Sequence, residues 1–174
     1  MLTTIRDAGA DDAAACAAIY RPYVLDTSIT FETEPPTPAE MARRIEEAAR
    51  LHAWLVAEHD AETIGYAYAG PFAVRPAYRW SCEVSVYLAA ERRRAGAGRA
   101  LYRALLARLA DRGYRVAVAK MTLPNDASAG LHAALGFRPV GVHQRIGWKN
   151  GAWHDVAIVQ RELSPEQGPP TTPR

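Results

Sequence analysis

The chain has 174 residues, 49% of them hydrophobic and 23% charged, with a formal net charge of +2. That length suits one well-cored domain, and the composition excludes a disordered chain. The small net charge and the lack of any long apolar run argue against nucleic-acid and membrane partners and leave the cytoplasm as the expected compartment.

Thr3 to Arg6 reads as a short strand, and Asp11 and Asp12 offer N-caps for a helix through Ala18 to about Val24. "LDTSITFETEPP" is too polar and proline-bounded to prolong it, yet carries Phe31 in its middle. "TPAE", with Thr37 and Glu40 bracketing Pro38, is a capping box that predicts a helix from about Pro38 to Leu51. "AWLVAE" and "TIGYAYAG" read as an antiparallel hairpin, and after the proline-broken "PFAVRPAYR" a strand runs from Trp80 to Leu88. From Gly98, Leu101, Leu105, Leu106 and Leu109 keep helical spacing until Gly113. "RVAVAKMTL" is a near-continuous apolar strand expected to be buried on both faces. A short helix closed by Gly136 follows, then two strands around the Asn150-Gly151 turn. Residues 1–163 form the expected domain. "SPEQGPPTTPR", 164–174, has too little apolar surface to fold and reads as a disordered tail. Cys16 and Cys82 read as reduced thiols. The order of elements gives an α/β (α+β) chain, one sheet with helices on its faces.

"ERRRAGAGR" places cations and glycines at the mouth of the third long helix. A helix start offers unpaired N–H groups and partial positive charge, Gly96 and Gly98 let a ligand approach the backbone, and Arg93 and Arg94 add charge-assisted hydrogen bonds. A pyrophosphate fits there; a solvated basic loop with a glycine hinge is the other local reading. No Gly-Lys-Ser/Thr follows, so this is not a P-loop, and no glycine stands where a dinucleotide fingerprint needs one.

Arg93-Arg94-Ala95-Gly96-Ala97-Gly98 matches the Gln/Arg-x-x-Gly-x-Gly/Ala motif of the GCN5-related N-acetyltransferase (GNAT) superfamily. "YAGPFAVRPAYRWSCEVSVYL", "LPNDASAGLHAALGF", "GWKNGAWHDV" and "FETEP" resemble stretches of its phosphinothricin and methionine sulfoximine N-acetyltransferase branch, from Thr3 to Leu163 in order. The resemblance implies a mostly antiparallel sheet splayed between its fourth and fifth strands, with acetyl-coenzyme A in the gap. It also implies that the backbone of Val86, Tyr87 and Leu88 pairs with the pantetheine arm and that Asn125 and Ser128 contact the cofactor. The substrate would be a small amino-acid analogue such as phosphinothricin, methionine sulfoximine or methionine sulfone, with detoxification as the result. Thr122 and Ala127 depart from the glycine and proline of that pattern.

Acetyl transfer requires a base for the acceptor amine. Glu83 is the candidate: by strand alternation it shares a face with Ser81, Ser85 and Tyr87, and it coincides with the family's acidic position. A backbone N–H near Ser85 or Val86 would meet the oxyanion. His132 lies where many members carry a tyrosine thought to protonate the departing thiolate; packing against the sheet is its alternative. Arg75, matching the branch's "ARxAY" pattern, is assigned to the substrate carboxylate, with Tyr78, Phe31 and Ser85 shaping the pocket. Lys149 and His154 flank a turn that lies near the dimer contact in similar proteins, which implies a homodimer with Lys149 closing a neighbour's pocket. No metal site is expected, and Cys82 lacks a partner base, which favours direct transfer without an acyl-enzyme. Rival readings are acetylation of a peptide N-terminus or lysine, a cofactor sensor without turnover, and a nucleotide-binding module.

Overall fold

A computed structural model of the chain describes residues 3–92, 96–165 and 168–173, with Arg92 described by its backbone alone. The elements run β1 (Thr4–Asp7), α1 (Ala13–Asp26), α2 (Pro38–Leu51), β2 (Ala53–His59), β3 (Glu62–Pro71), β4 (Ser81–Leu88), α3 (Ala97–Asp111), β5 (Val116–Thr122), α4 (Asp126–Ala134), β6 (Arg138–Lys149) and β7 (Ala152–Glu162). This is the predicted order. The sheet is arranged β1-β2-β3-β4-β5-β7-β6, antiparallel throughout except where β4 and β5 run parallel.

Local chemistry accounts for most boundaries. Thr37 caps α2, its hydroxyl accepting from Glu40 N at 3.2 Å, and Met41, Ile45 and Ala48 bury one stripe of the helix. The carboxylate of Glu40 turns instead to Arg44. Asp12 occupies the N-cap of α1 without a capping bond, contrary to the sequence expectation, because Arg6 and Gly9 N claim its carboxylate at 2.7–2.8 Å. The guanidinium of Arg6 holds that carboxyl below its usual range. β4 begins one residue later than predicted, at Ser81. The indole of Trp80 donates to Thr171 O at 2.8 Å.

The sheet separates two cores. Leu101, Tyr102, Leu105 and Leu109 of α3 pack with Leu55, Ala67, Cys82 and Val84 and with Leu135 and Phe137 beyond α4. On the opposite face, Cys16, Tyr20 and Val24 of α1 join Met41 and Ile45 of α2 over Trp54, Val56 and Tyr66. Strand alternation in β4 sends Cys82 and Val84 to the first core and Tyr87 to the second. β5 is buried on both faces from Ala117 to Thr122 as predicted except at Lys120, which is exposed, and Val116 at its start is half-buried.

Candidate active site

β4 and β5 stay paired only over Ser81–Val116, Cys82–Ala117 and Glu83–Val118. Past Glu83 they part, and a small cavity of about 50 Å³ opens between Val84–Tyr87 and Lys120, with Ser128 and His132 of α4 beside it. A second cavity of about 490 Å³ adjoins it, with Phe31, Glu32, Tyr68 and Glu83 in its wall. Ser85, Tyr87 and Lys120 line both. Glu83, the last residue of β4 paired with β5, faces the larger cavity, and its Oε2 lies 2.8 Å from the Nζ of Lys120, which lines both.

At one end of the gap α3 begins. Gly96 is its N-cap at φ 82°, a left-handed conformation that L side chains rarely adopt, and the space a Cβ would occupy there is open within 4 Å. The first amides of α3 lack intrahelical acceptors, so Gly96, Ala97 and Gly98 present N–H groups suited to an anion. Arg93, Arg94 and Ala95, the rest of the predicted anion loop, lie outside the described residues. At the other side, Asn125 caps α4, its Oδ1 accepting from Ser128 N at 3.1 Å. Both line the gap.

His132 is buried at 3% exposure, and that burial lowers its pKa against the opposing pull of the Ser128 backbone. Its Nδ1 lies 2.7 Å from Ser128 O, an atom that can only accept, so Nδ1 carries the hydrogen and Nε2 accepts from Tyr102 OH at 3.1 Å. Tyr102 therefore joins His132 beside the gap. Sequence reading missed it, because at helical spacing it reads as one more core residue of α3.

The larger cavity has its own charge network. Arg44 forks onto Glu32 at 2.7 and 3.0 Å, and Tyr20 OH donates to the same carboxylate at 3.0 Å. Burial works against the Glu32 charge, but the Arg44 bonds outweigh it and the pKa falls. Phe31 reaches the cavity because residue 147 is glycine; a Cβ there would collide with its ring.

The structure brings together Ser85, Val86, Tyr87, Asn125, Ser128 and His132 around the gap, with Phe31 and Glu83 in the wall of the larger cavity. Leu88 continues β4 opposite Gly65. Arg75 and Tyr78 stand exposed in the β3–β4 connection, away from the residues lining either cavity, with Tyr78 edge-on to Phe72. Lys149 is buried at 5% exposure and donates to Thr30 O at 2.8 Å, an arrangement in which desolvation lowers its pKa. His154 sits between Lys149 O and Ser28. Among the described residues, no cluster of His, Cys, Asp or Glu could hold a metal ion, and no helix is long and apolar enough to cross a membrane.

Residues 5–158 match the model of the acetyltransferase (GNAT) domain family. The chain is 41% identical over 159 residues to a phosphinothricin N-acetyltransferase of Streptomyces viridochromogenes, covering 91% of this chain and 87% of that protein. It is 34% identical over 172 residues to an L-methionine sulfoximine/L-methionine sulfone acetyltransferase of Pseudomonas paraeruginosa, covering 98% and 100%. Among solved structures, a GNAT superfamily phosphinothricin acetyltransferase from Sinorhizobium meliloti in complex with acetyl-coenzyme A superposes with a TM-score of 0.94 at 39% identity, covering 98% of this chain and 94% of that one.

Proposed function

The chain belongs to the GNAT acetyltransferase family and is an acetyl-coenzyme A-dependent N-acetyltransferase, and on that footing we propose that it acetylates the α-amino group of a small amino-acid analogue. Phosphinothricin, methionine sulfoximine and methionine sulfone are the acceptors its relatives' names support. Detoxification of such compounds is the consequence. The observation that carries the reading is the placement of Glu83 in the wall of the larger cavity, at the last paired position before β4 and β5 part. A cofactor lying between β4 and β5 and an acceptor held in the cavity would converge on its carboxylate.

In this reading Glu83 takes the proton of the acceptor ammonium, directly or through water, and the free amine attacks the acetyl carbonyl. A backbone N–H near Ser85 or Val86 meets the developing oxyanion. The amides of Gly96, Ala97 and Gly98 hold the diphosphate, with Arg93 and Arg94, and the edge of Val86–Leu88 pairs with the pantetheine arm. His132 and Tyr102 flank the thiolate side of the gap, with Asn125 and Ser128 along the cofactor. Phe31 and Ser85 shape the acceptor pocket. Arg75, assigned by the resemblance to the substrate carboxylate, and Tyr78, assigned with Phe31 to the side-chain pocket, line neither cavity, so those two roles require the β3–β4 connection to approach a bound acceptor.

Direct transfer is favoured over an acyl-enzyme because the thiol beside the base is sequestered. Cys82 is wholly buried in the α3 core, and burial pushes its pKa up to about 12. We also propose a homodimer through the outer face of the β6–β7 hairpin. Val140, Val142, Ile146, Trp148 and Trp153 of this hairpin are each more than half exposed, and the two tryptophans meet edge-on with ring centroids 5.4 Å apart. Lys149 lies at the turn of that hairpin, where it would support a neighbour's pocket.

The test is thiol release from acetyl-coenzyme A with the three analogues and a panel of ordinary amino acids. Cys16 and Cys82 are both fully buried, so a thiol reagent reports coenzyme A with little background from the folded protein. Release with an analogue is expected, and Glu83→Gln should lower kcat by about 10²–10⁴-fold while leaving coenzyme A binding intact. No release across the panel overturns the reading.

A further inference from the structure

Resting on the acetyltransferase reading above, we propose that Lys120 is itself an acetyl acceptor: in the absence of an external amine, the enzyme modifies its own Lys120 from acetyl-coenzyme A. Lys120 Nζ lies 2.8 Å from Glu83 Oε2, within the reach a general base needs. It lines both the strand gap and the acceptor cavity. A primary amine hydrogen-bonded to the base at the junction of donor and acceptor spaces occupies the position the substrate amine must take. Lys120 also breaks an otherwise buried strand: Ala119 and Met121 beside it are buried.

A structural ion pair explains the contact less well. The two side chains are 44% and 32% exposed, a setting in which such pairs contribute little stability. An arginine would make that pair at least as well, and the chain otherwise relies on arginine: of its 21 Lys and Arg residues only Lys120 and Lys149 are lysine. Arginine, always protonated, could not accept an acetyl group. Lys149, tied to Thr30 O and buried, lines neither space and provides an internal comparison.

The step balances without any further reactant. Glu83 accepts a proton from the Lys120 ammonium, and the freed nitrogen forms a bond to the acetyl carbon. The carbon–sulfur bond breaks and the sulfur leaves with its electron pair, taking a proton as coenzyme A thiol. Ammonium and thioester become amide and thiol, and one proton is released to solvent. The product has no charge with which to pair Glu83 and fills the mouth of the acceptor cavity, so self-modification and acetylation of an external amine compete.

The experiment incubates the full chain with acetyl-coenzyme A alone, then maps acetylation by peptide mass spectrometry, with thiol release to methionine sulfone, phosphinothricin and the amino-acid panel measured in parallel. Expected is one acetyl group on the Lys120 peptide, none on Lys149, slower labelling when an accepted amine is present, and labelling slowed by about 10²–10⁴-fold in Glu83→Gln. Lys120→Arg should abolish the signal at that peptide. If external amines are acetylated while Lys120 stays unmodified, the proposal is overturned and the acetyltransferase reading stands. Labelling that is equal on Lys149 or Met1, or unchanged by Glu83→Gln, marks chemical acetylation and overturns it equally. If neither external amine nor Lys120 is acetylated, both readings fail together.

Discussion

Tyr102 donates its phenol hydrogen to Nε2 of His132 across 3.1 Å, tying α3 to α4 at the wall of the strand gap. Both residues are almost completely buried, and the same phenol lies 3.4 Å from Val84 O, a longer and weaker contact. Tyr102→Phe keeps the ring in the core and removes only the donor, leaving the imidazole nitrogen unsatisfied. The expected cost is about 1–3 kcal/mol in denaturant unfolding. Combined with His132→Leu it should be smaller, because the acceptor is then gone as well. An equal cost in both backgrounds would show that the bond contributes nothing of its own.

Burial makes two histidines acid-sensitive elements of the fold. The pKa of His132 is lowered by desolvation, and that of His52 by desolvation and then by the charge of Arg112. Each is neutral in the folded chain at a pH where the unfolded chain, with an ordinary value of about 6.5, begins to take up a proton. The unfolded state then binds more protons than the native state. Their stabilising contribution is therefore complete above about pH 6.5 and is lost as the pH falls toward their lower folded values. Unfolding free energy should fall between about pH 7 and pH 5, with each histidine adding at most about 1.4 kcal/mol per pH unit. Replacing both with Gln should flatten this limb. An unchanged slope in the double variant would exclude them as its source.

The route from sequence to site was legible where the signal is local and faded where it depends on folding across distance. Thr37 and Glu40 announce the start of α2 because a cap is a contact between near neighbours. Alternation along β4 placed Glu83 on the Ser85 and Tyr87 face because a strand repeats every two residues. Asp12 misled because its partner Arg6, on a different element, outcompetes the helix start. The pairing of Glu83 with Lys120 requires β4 and β5 to be neighbours in the sheet, although residues 89–115 separate them in the chain. Tyr102 meets His132 only once α3 and α4 share a face of the sheet. None of these three partnerships leaves a local pattern.

Gly147 is a position where a small change should alter substrate affinity more than folding. An added Cβ would enter the space of the Phe31 ring, whose outer carbons are the nearest atoms. That ring is 38% exposed and borders the larger cavity, the proposed acceptor site, so it can swing aside into the volume a substrate would use. For Gly147→Ala the expected result is a several-fold rise in acceptor KM, unchanged coenzyme A binding, and a stability loss smaller than the roughly 1–3 kcal/mol of overpacking a closed core. Steady-state kinetics with the accepted analogue and thermal unfolding check it. A large stability loss without a KM change would mean that Phe31 is held too firmly to yield.

The β2–β3 hairpin carries strain that one substitution should relieve. His59 pairs with Glu62, so Asp60 and Ala61 form a two-residue turn with φ values of 52° and 63°. Turns of this kind favour Asn or Asp followed by Gly, and Ala61 holds a left-handed conformation that costs an L residue roughly 1–2 kcal/mol. Ala61→Gly removes that cost but gives the unfolded chain more freedom, worth about 0.4–1 kcal/mol in the opposite direction. The net expectation is a gain of between about 0 and 1.6 kcal/mol, or up to roughly 3–6 °C in Tm. Ala107→Gly, the same chemical change on the exposed side of α3, supplies the contrast. There the backbone is already helical and glycine should cost about 1 kcal/mol. Opposite signs for the two variants in thermal unfolding support the strained turn, and a fall in Tm for both would show that Ala61 bears no such strain.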